Sequence, residues 1–276
     1  MSTQAPCGKL CFSRAHERGR PGRFARVLWK RFTDVSKLTL VRHGQAEPFQ
    51  QESAALTSLG EAQAAKLAQF WLRNQIRFDE VRSGVLARQT RTEQVIAACF
   101  RASGQPWPEA RADGAWNEYD APGVLRHCVP ANPRLAALAA DFEHARSGPD
   151  ANRRFQRMFE AAMLCWLEGW PDQSKADNMA TLGVEPWTVF RERVSGALRR
   201  IMEGAPGRRV AVFTSGGPIG FAVHLALQSP PRSFLDVNWR IRNGSVTEFL
   251  FDRERFTLGS FNGVPHLDDA ALWTYR

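Results

Sequence analysis

The spacing of apolar residues along this chain changes several times, and each change marks an element. Leu38-Thr39-Leu40-Val41 is a short β-prone run that closes on Arg42-His43-Gly44, where the glycine admits a tight turn. From Leu59 to Ile76 the period becomes helical, with Leu59, Ala62, Leu67, Phe70 and Trp71 forming an apolar stripe. Thr57 or Ser58 is placed to cap that helix, and Glu61 adds a negative charge to its first turn. Phe78 to Val81 predicts a second strand that runs out at Ser83-Gly84, and Arg88 to Phe100 predicts a second helix. Residues 116–186 are less regular: helical patterns at about 132–146 and 151–169 sit among Pro, Gly and Asp breaks. Beyond them come a helix from Trp187 to Met202, a strand from Arg209 to Thr214, a Ser-Gly-Gly-Pro turn and a helix from Ile219 to Gln228. Two strands, Ser245–Phe251 and Phe256–Ser260, close the pattern.

Strands that alternate with helices of this length predict an α/β domain with a largely parallel sheet. Ligands in such domains bind beyond the carboxyl ends of the strands. Three predicted strand ends carry polar or glycine-rich turns: Arg42-His43-Gly44, Ser83-Gly84 leading to Arg88, and Thr214-Ser215-Gly216-Gly217. If these strands are parallel neighbours, the three turns meet at one edge.

Charge alters this picture less than its total suggests. The chain has 276 residues and a net charge of +9, but residues 1–37 hold nine Lys/Arg against Glu17 and Asp34. That surplus of seven leaves about +2 for the rest, so the basic character belongs to the N-terminal segment and no nucleic-acid partner is expected. Residues 1–36 read as a basic solvated arm; an organellar transit peptide and upstream sequence read through from a wrong start are the competing readings. Residues 37–276 form the expected catalytic domain. No apolar run reaches the roughly 18 residues a membrane span requires. Five scattered cysteines form no CxxC pair, which fits a reducing, cytoplasmic setting, and Cys7-x3-Cys11 lacks the further ligands of a zinc site.

The chemistry lies in the turns. A lone histidine at a strand end is usually structural, but His43 follows Arg42, and the second turn brings Arg88. Guanidinium groups match phosphate oxygens bidentately. They also lower the proton affinity of a neighbouring imidazole, leaving it neutral and nucleophilic. A glycine-rich helix start at Gly216-Gly217 can add backbone N–H donors for a phosphate oxygen.

The ordered set of motifs resembles the histidine phosphatase superfamily, also called phosphoglycerate-mutase-like. Leu38-Thr39-Leu40-Val41-Arg42-His43-Gly44-Gln45 is similar to its arginine-histidine-glycine signature. Leu56-Thr57-Ser58-Leu59-Gly60-Glu61-Ala62-Gln63-Ala64, the segment from Ser83 to Thr92, Asn117-Glu118-Tyr119-Asp120, and Ser260 to Leu267 resemble further segments of that family in the same order. The resemblance implies a three-layer α/β/α sandwich with a mostly parallel sheet and a helical cap at about 116–186. It implies that His43 is the nucleophile, that Arg42 and Arg88 bind the phosphoryl group with Ser215 and Gly216, and that Glu118 is the acid and base. It implies no metal and no cofactor, and a small phosphorylated substrate or a phosphoprotein as partner.

One position departs from the family pattern. A second histidine usually follows the late strand, and Ser215 stands there instead, which removes a possible cationic contact. His266 is the candidate to replace it. His224 lies nine residues beyond Ser215, about 13 Å along a helix, and reads as packing. His127 and His144 read as surface residues of the insertion, and Trp116, Tyr119, Arg126 and Trp187 as core or substrate-selecting residues. The expected activity is phosphomonoester hydrolysis through a phosphohistidine. The alternatives are a phosphoglycerate-type mutase, or a non-catalytic phosphate-binding regulatory module, which the serine at 215 raises.

Overall fold

The computed structural model describes residues 35–47, 55–144, 147–168 and 183–275. Residues 1–34 of the expected basic arm, with Cys7, Cys11 and His16, lie outside them, whereas its last residue, Ser36, is buried and begins the first strand. Among the described residues six strands form one sheet: β1 (Ser36–Arg42), β2 (Glu80–Ser83), β3 (Ala110–Ala112), β4 (Arg209–Thr214), β5 (Val246–Phe251) and β6 (Phe256–Gly263), ordered β3-β2-β4-β1-β5-β6. β4 pairs in parallel with β1 on one side and β2 on the other, and β2 pairs in parallel with β3. β5 runs antiparallel to β1 and to β6. The three expected strand-end turns therefore do belong to adjacent parallel strands.

Side chains on a strand alternate between faces, so one strand feeds two cores. Leu38, Leu40, Val210 and Val212 point into one apolar cluster, and Val41, Ala211, Phe213 and Val81 into the other. The second cluster is closed by α1 (Ser58–Arg73) and α2 (Ala87–Ala102), through Ala64, Leu67, Trp71, Ile96 and Phe100. The first is closed by α5 (Ala151–Glu168), α6 (Trp187–Met202), α7 (Gly216–Leu227) and α8 (Arg232–Asn238), with α3 (Ala121–Ala131) and α4 (Pro133–His144) joining it. Helices on both sheet faces make the expected three-layer α/β/α arrangement. Trp116 and Tyr119 are buried in this core, and Trp187 packs edge-on against Phe221. Their bulk serves packing. Arg126 lies exposed on α3.

Thr57 caps α1 as expected, its hydroxyl accepting from the Gly60 N–H at 3.1 Å. Three elements lacked a readable pattern. β3 is a three-residue edge strand with the sequence Ala-Arg-Ala. α3 carries Pro122 in its first turn and Pro130 near its end, and α8 has only seven residues. Proline is tolerated in a first helical turn, where no intrahelical N–H bond is lost. The same rule explains α7: Gly216, Gly217 and Pro218 form its first turn, where a turn ahead of the helix was expected.

Candidate active site

His43 directly follows β1, and its backbone N–H donates to the Thr214 carbonyl at 2.9 Å, tying the ends of two neighbouring strands together. Only 7% of the residue is exposed. Nδ1 lies 2.7 Å from the Gly44 carbonyl oxygen, which can only accept, so Nδ1 carries the proton of the neutral ring. Nε2 is then the basic nitrogen, and it accepts from Arg88 Nε at 3.2 Å. Burial holds the pKa of His43 well below its ordinary value, and the charges of Arg88 and Arg42 push it the same way. The result is a neutral imidazole with a tautomer chosen by the chain itself.

The turn around His43 is fixed by close backbone packing. A Cβ on Gly44 would lie 2.3 Å from the Gly60 carbonyl oxygen, and one on Gly60 would lie 2.0 Å from that of Gln45. Neither residue has room for a side chain. Gln63, one turn further along α1, accepts from the Gln45 N–H at 2.8 Å and donates to Leu272 O and Thr274 Oγ1. The Thr92 hydroxyl takes the Gly44 N–H at 3.1 Å. Thus the Gly60 and Gln63 motif and Thr92 position the histidine turn without entering the chemistry.

Arg88 sits in the first turn of α2. Burial lowers its pKa, while the nearby Glu118 carboxylate acts to raise it. Arg42 donates to the Ile241 carbonyl. Gln89, which the sequence did not mark, donates to both Ser215 Oγ at 2.8 Å and Trp116 O at 3.1 Å. Ser215 is fully buried as the N-cap residue of α7. Its oxygen is thus engaged as an acceptor by Gln89, and its own O–H proton is available as a donor.

Glu118 lies in the irregular segment after β3. Its two carboxylate oxygens are 3.0 and 3.2 Å from the Gly217 N–H, and the Tyr119 N–H donates to Oε1 at 3.2 Å. A Cβ on Gly217 would fall 2.1 Å from Oε1, so only glycine lets the acid dock on the start of α7. This alters one expectation, because the Gly217 N–H is occupied by Glu118. At Gly216 an added Cβ would meet Asn238 Oδ1 at 2.3 Å. Burial raises the pKa of Glu118 above the ordinary carboxylate value, against the opposing pull of Arg88, the Gly217 N–H and Arg42. A raised acid and a depressed base near the same guanidinium groups are the environments that separate two catalytic roles.

The structure therefore brings His43, Arg42, Arg88, Glu118 and Ser215 to one sheet edge. The His266 ring packs near Phe70, with centroids 6.4 Å apart, and beside Gly244, whose N–H donates to the Arg42 and His43 carbonyls. Both its nitrogens are buried without a hydrogen-bond partner, and burial brings its pKa down to about 4. It is a neutral packing residue. His224 is half-buried beside Phe221, with Nδ1 3.2 Å from Ser229 Oγ, as its helix position implied. His144 is exposed and His127 half-buried. Among the described residues, no group of three or more His, Cys, Asp or Glu could hold a metal ion. No helix among them is long and apolar enough to cross a membrane.

Comparison with known proteins gives two findings. The sequence profile of the histidine phosphatase superfamily (branch 1) matches residues 38–121 and 150–263. The fold is similar to a phosphoglycerate mutase from Bacillus anthracis, with TM-score 0.58 and 17% identity over 85% of this chain and 96% of that one. It is similar also to a putative alpha-ribazole-5'-P phosphatase from Escherichia coli (TM-score 0.55, 15% identity, 83% and 97% covered). A third likeness is to a mycobacterial glucosyl-3-phosphoglycerate phosphatase (TM-score 0.51, 20% identity, 82% and 98% covered). At these identities the structural likeness speaks for the fold. No curated protein sequence matches the chain.

Proposed function

This chain belongs to the histidine phosphatase superfamily (branch 1), and from that premise we propose that it hydrolyses phosphomonoesters through a phosphohistidine on His43. The observation that carries the reading is the state of His43: Nδ1–H is held by the Gly44 carbonyl, and Nε2 faces the Arg88 guanidinium at 3.2 Å. Nε2 attacks phosphorus, the P–N bond forms, and the P–O bond to the alcohol breaks. Glu118, whose pKa burial raises, gives its proton to the leaving oxygen. Arg88 and Arg42 neutralise the charge on the non-bridging oxygens. Water then attacks the phosphohistidine, its proton passes to the Glu118 carboxylate, the P–N bond breaks and inorganic phosphate leaves.

The segment between the two matched stretches, residues 122–149, covers α4 and nearly all of α3. We assign substrate choice to the expected helical cap at about 116–186, to which this segment belongs, because the phosphoryl pocket itself distinguishes little between esters. The neighbours named for phosphoglycerate derivatives make such compounds the first to assay. Purified protein, treated with chelator, should release inorganic phosphate from at least one member of a phosphomonoester panel. Isomerisation of a phosphoglycerate without phosphate release would assign the protein as a mutase. Binding of phosphate with no turnover of any ester would assign it as a phosphate-binding module.

Ser215 enters this scheme as a neutral donor to a phosphoryl oxygen, oriented by Gln89. Ser215→Ala should lower kcat/KM by about 2- to 10-fold, the scale of one uncharged hydrogen bond. A change below that range in steady-state assays would remove Ser215 from the phosphate pocket.

A further inference from the structure

Four successive backbone carbonyls lead up to the candidate acid, and side chains from other elements bind every one of them. Trp116 O accepts from the Thr214 hydroxyl at 2.6 Å and from Gln89. The other three belong to a single residue. Arg193, in the middle of α6, donates through Nη1 to Ala115 O at 2.9 Å and Asn117 O at 2.8 Å, and through Nη2 to Glu118 O at 3.3 Å. The segment is neither strand nor α-helix, so its acceptors have no regular ladder to join, and a buried acceptor left unsatisfied is costly. The planar guanidinium fork spans several carbonyls where a point charge could not.

Arg193 is itself held. Glu185 pairs with it through both oxygens, at Nε and, 2.9 Å away, at Nη2, and the side chains are only 20% and 19% exposed. The guanidinium carbon lies 4.8 Å from the centroid of the Phe190 ring. Glu185 is tied to the core in turn, since its carbonyl accepts from Trp166 Nε1 at 2.8 Å. The charges acting on the Glu118 carboxyl come from Arg88 and Arg42. The Arg193 charge is matched by Glu185, and its grip is on the Glu118 backbone.

We propose that Arg193, locked by Glu185, is a positioning residue for the proton-transfer step, holding the 115–118 backbone so that Glu118 stays aimed at the leaving oxygen. The proposal rests on the phosphatase reading above. It deepens that reading by making α6 and the segment before it part of the acid's support. Loss of the clamp would leave Gly217 as the principal anchor of the carboxylate, and a displacement near 1 Å is enough to cost about 100-fold in a proton transfer.

The test compares Arg193→Gln and Arg193→Lys on an alkyl phosphate, which needs a proton on its leaving oxygen, and a nitrophenyl phosphate, which does not. Arg193→Gln should lower kcat for the alkyl ester by about 10- to 100-fold, leave KM within about threefold, and change the nitrophenolate burst by less than about threefold, the size of one weak hydrogen bond. Arg193→Lys, which keeps the charge, should show the same split, and it serves alone if the glutamine variant does not fold. Equal losses on both esters, or full rescue by lysine, would overturn the proposal. In a Glu118→Gln background Arg193→Gln should cost almost nothing more on the alkyl ester, and an additive loss would overturn it as well. Amide hydrogen exchange supplies a readout apart from activity: residues 115–119 should exchange faster in Arg193→Gln while β1 and β4 stay protected. Unchanged exchange there would show that Arg193 does not hold the segment. Should Glu118→Gln turn over both esters at the wild-type rate, the acid assignment falls, and the exchange result still decides whether Arg193 is the clamp.

Discussion

Replacement of His43 by alanine is expected to abolish an acid-labile, base-stable phosphoenzyme that the native protein forms within its first turnover. Turnover should fall by a factor on the order of 10⁴ to 10⁶, the scale on which a covalent nucleophile contributes. Rapid quench with labelled substrate, followed by denaturing gels at acid and alkaline pH, makes the measurement. Label persisting in the alanine variant would place the nucleophile elsewhere. The pH dependence follows from the same residue. An imidazolium has no lone pair for phosphorus, so the reaction needs His43 neutral. Its pKa is depressed from 6.5 by burial and by Arg88 and Arg42, and the neutral form therefore persists below pH 6.5. In the native protein the acid limb of the phosphorylation rate should lie below that value. Arg88→Met removes one of the causes and should move the limb upward as well as weaken substrate binding.

The second large effect is expected at Glu118, and it depends on the leaving group. Glu118→Gln should slow phosphorylation by an alkyl phosphate roughly 10²- to 10⁴-fold, the usual range for general acid catalysis. The burst with a nitrophenyl ester should be nearly unchanged, because nitrophenolate leaves without a proton. Burial raises the pKa of Glu118 above 4.5, so the protonated acid survives above the ordinary carboxylate range and is lost as pH rises through the raised value. That alkaline limb should appear in alkyl-ester phosphorylation and vanish in the glutamine variant. Dephosphorylation uses the same group as a base, so steady-state turnover of the aryl ester should also slow once the burst is complete. Equal slowing of both esters in the phosphorylation step would remove Glu118 from the acid role. Asp120 would have to leave its place at the start of α3 to take over, since its carboxylate accepts from the Gly123 N–H at 2.9 Å.

The helix cap at Thr57, the strand from Leu38 to Val41 and the strand from Arg209 to Thr214 were legible because each is governed by neighbours within a few residues. Period, capping and turn chemistry are local, and so is the tripeptide Arg42-His43-Gly44. The order of the motifs along the chain was sufficient to bring out the family, and with it the expected roles of Arg88 and Glu118. The short pieces were not legible, because β3, α3 and α8 are stabilised by contacts from outside themselves. Three residues of Ala-Arg-Ala carry no pattern until β2 lies beside them.

What only the tertiary structure decided are the properties that depend on distance between remote parts of the chain. The amino-acid sequence places His43 at a strand end, but the Nδ1 proton goes to Gly44, Nε2 is presented to Arg88 from 45 residues away, and burial depresses the pKa. His266 reads in sequence as a candidate to stand in for the missing second histidine, since it follows a strand in a polar segment, and the fold buries its ring beside Phe70. Gly217 reads in sequence as a spare N–H donor, and the fold gives that donor to Glu118, 99 residues earlier. Arg193 reads as one more charge on an amphipathic helix, and it becomes the clamp of the acid segment only because α6 packs behind residues 115–118. Local propensity depends on a few adjacent residues, whereas proton affinity and hydrogen-bond partnership depend on which distant groups share a buried space.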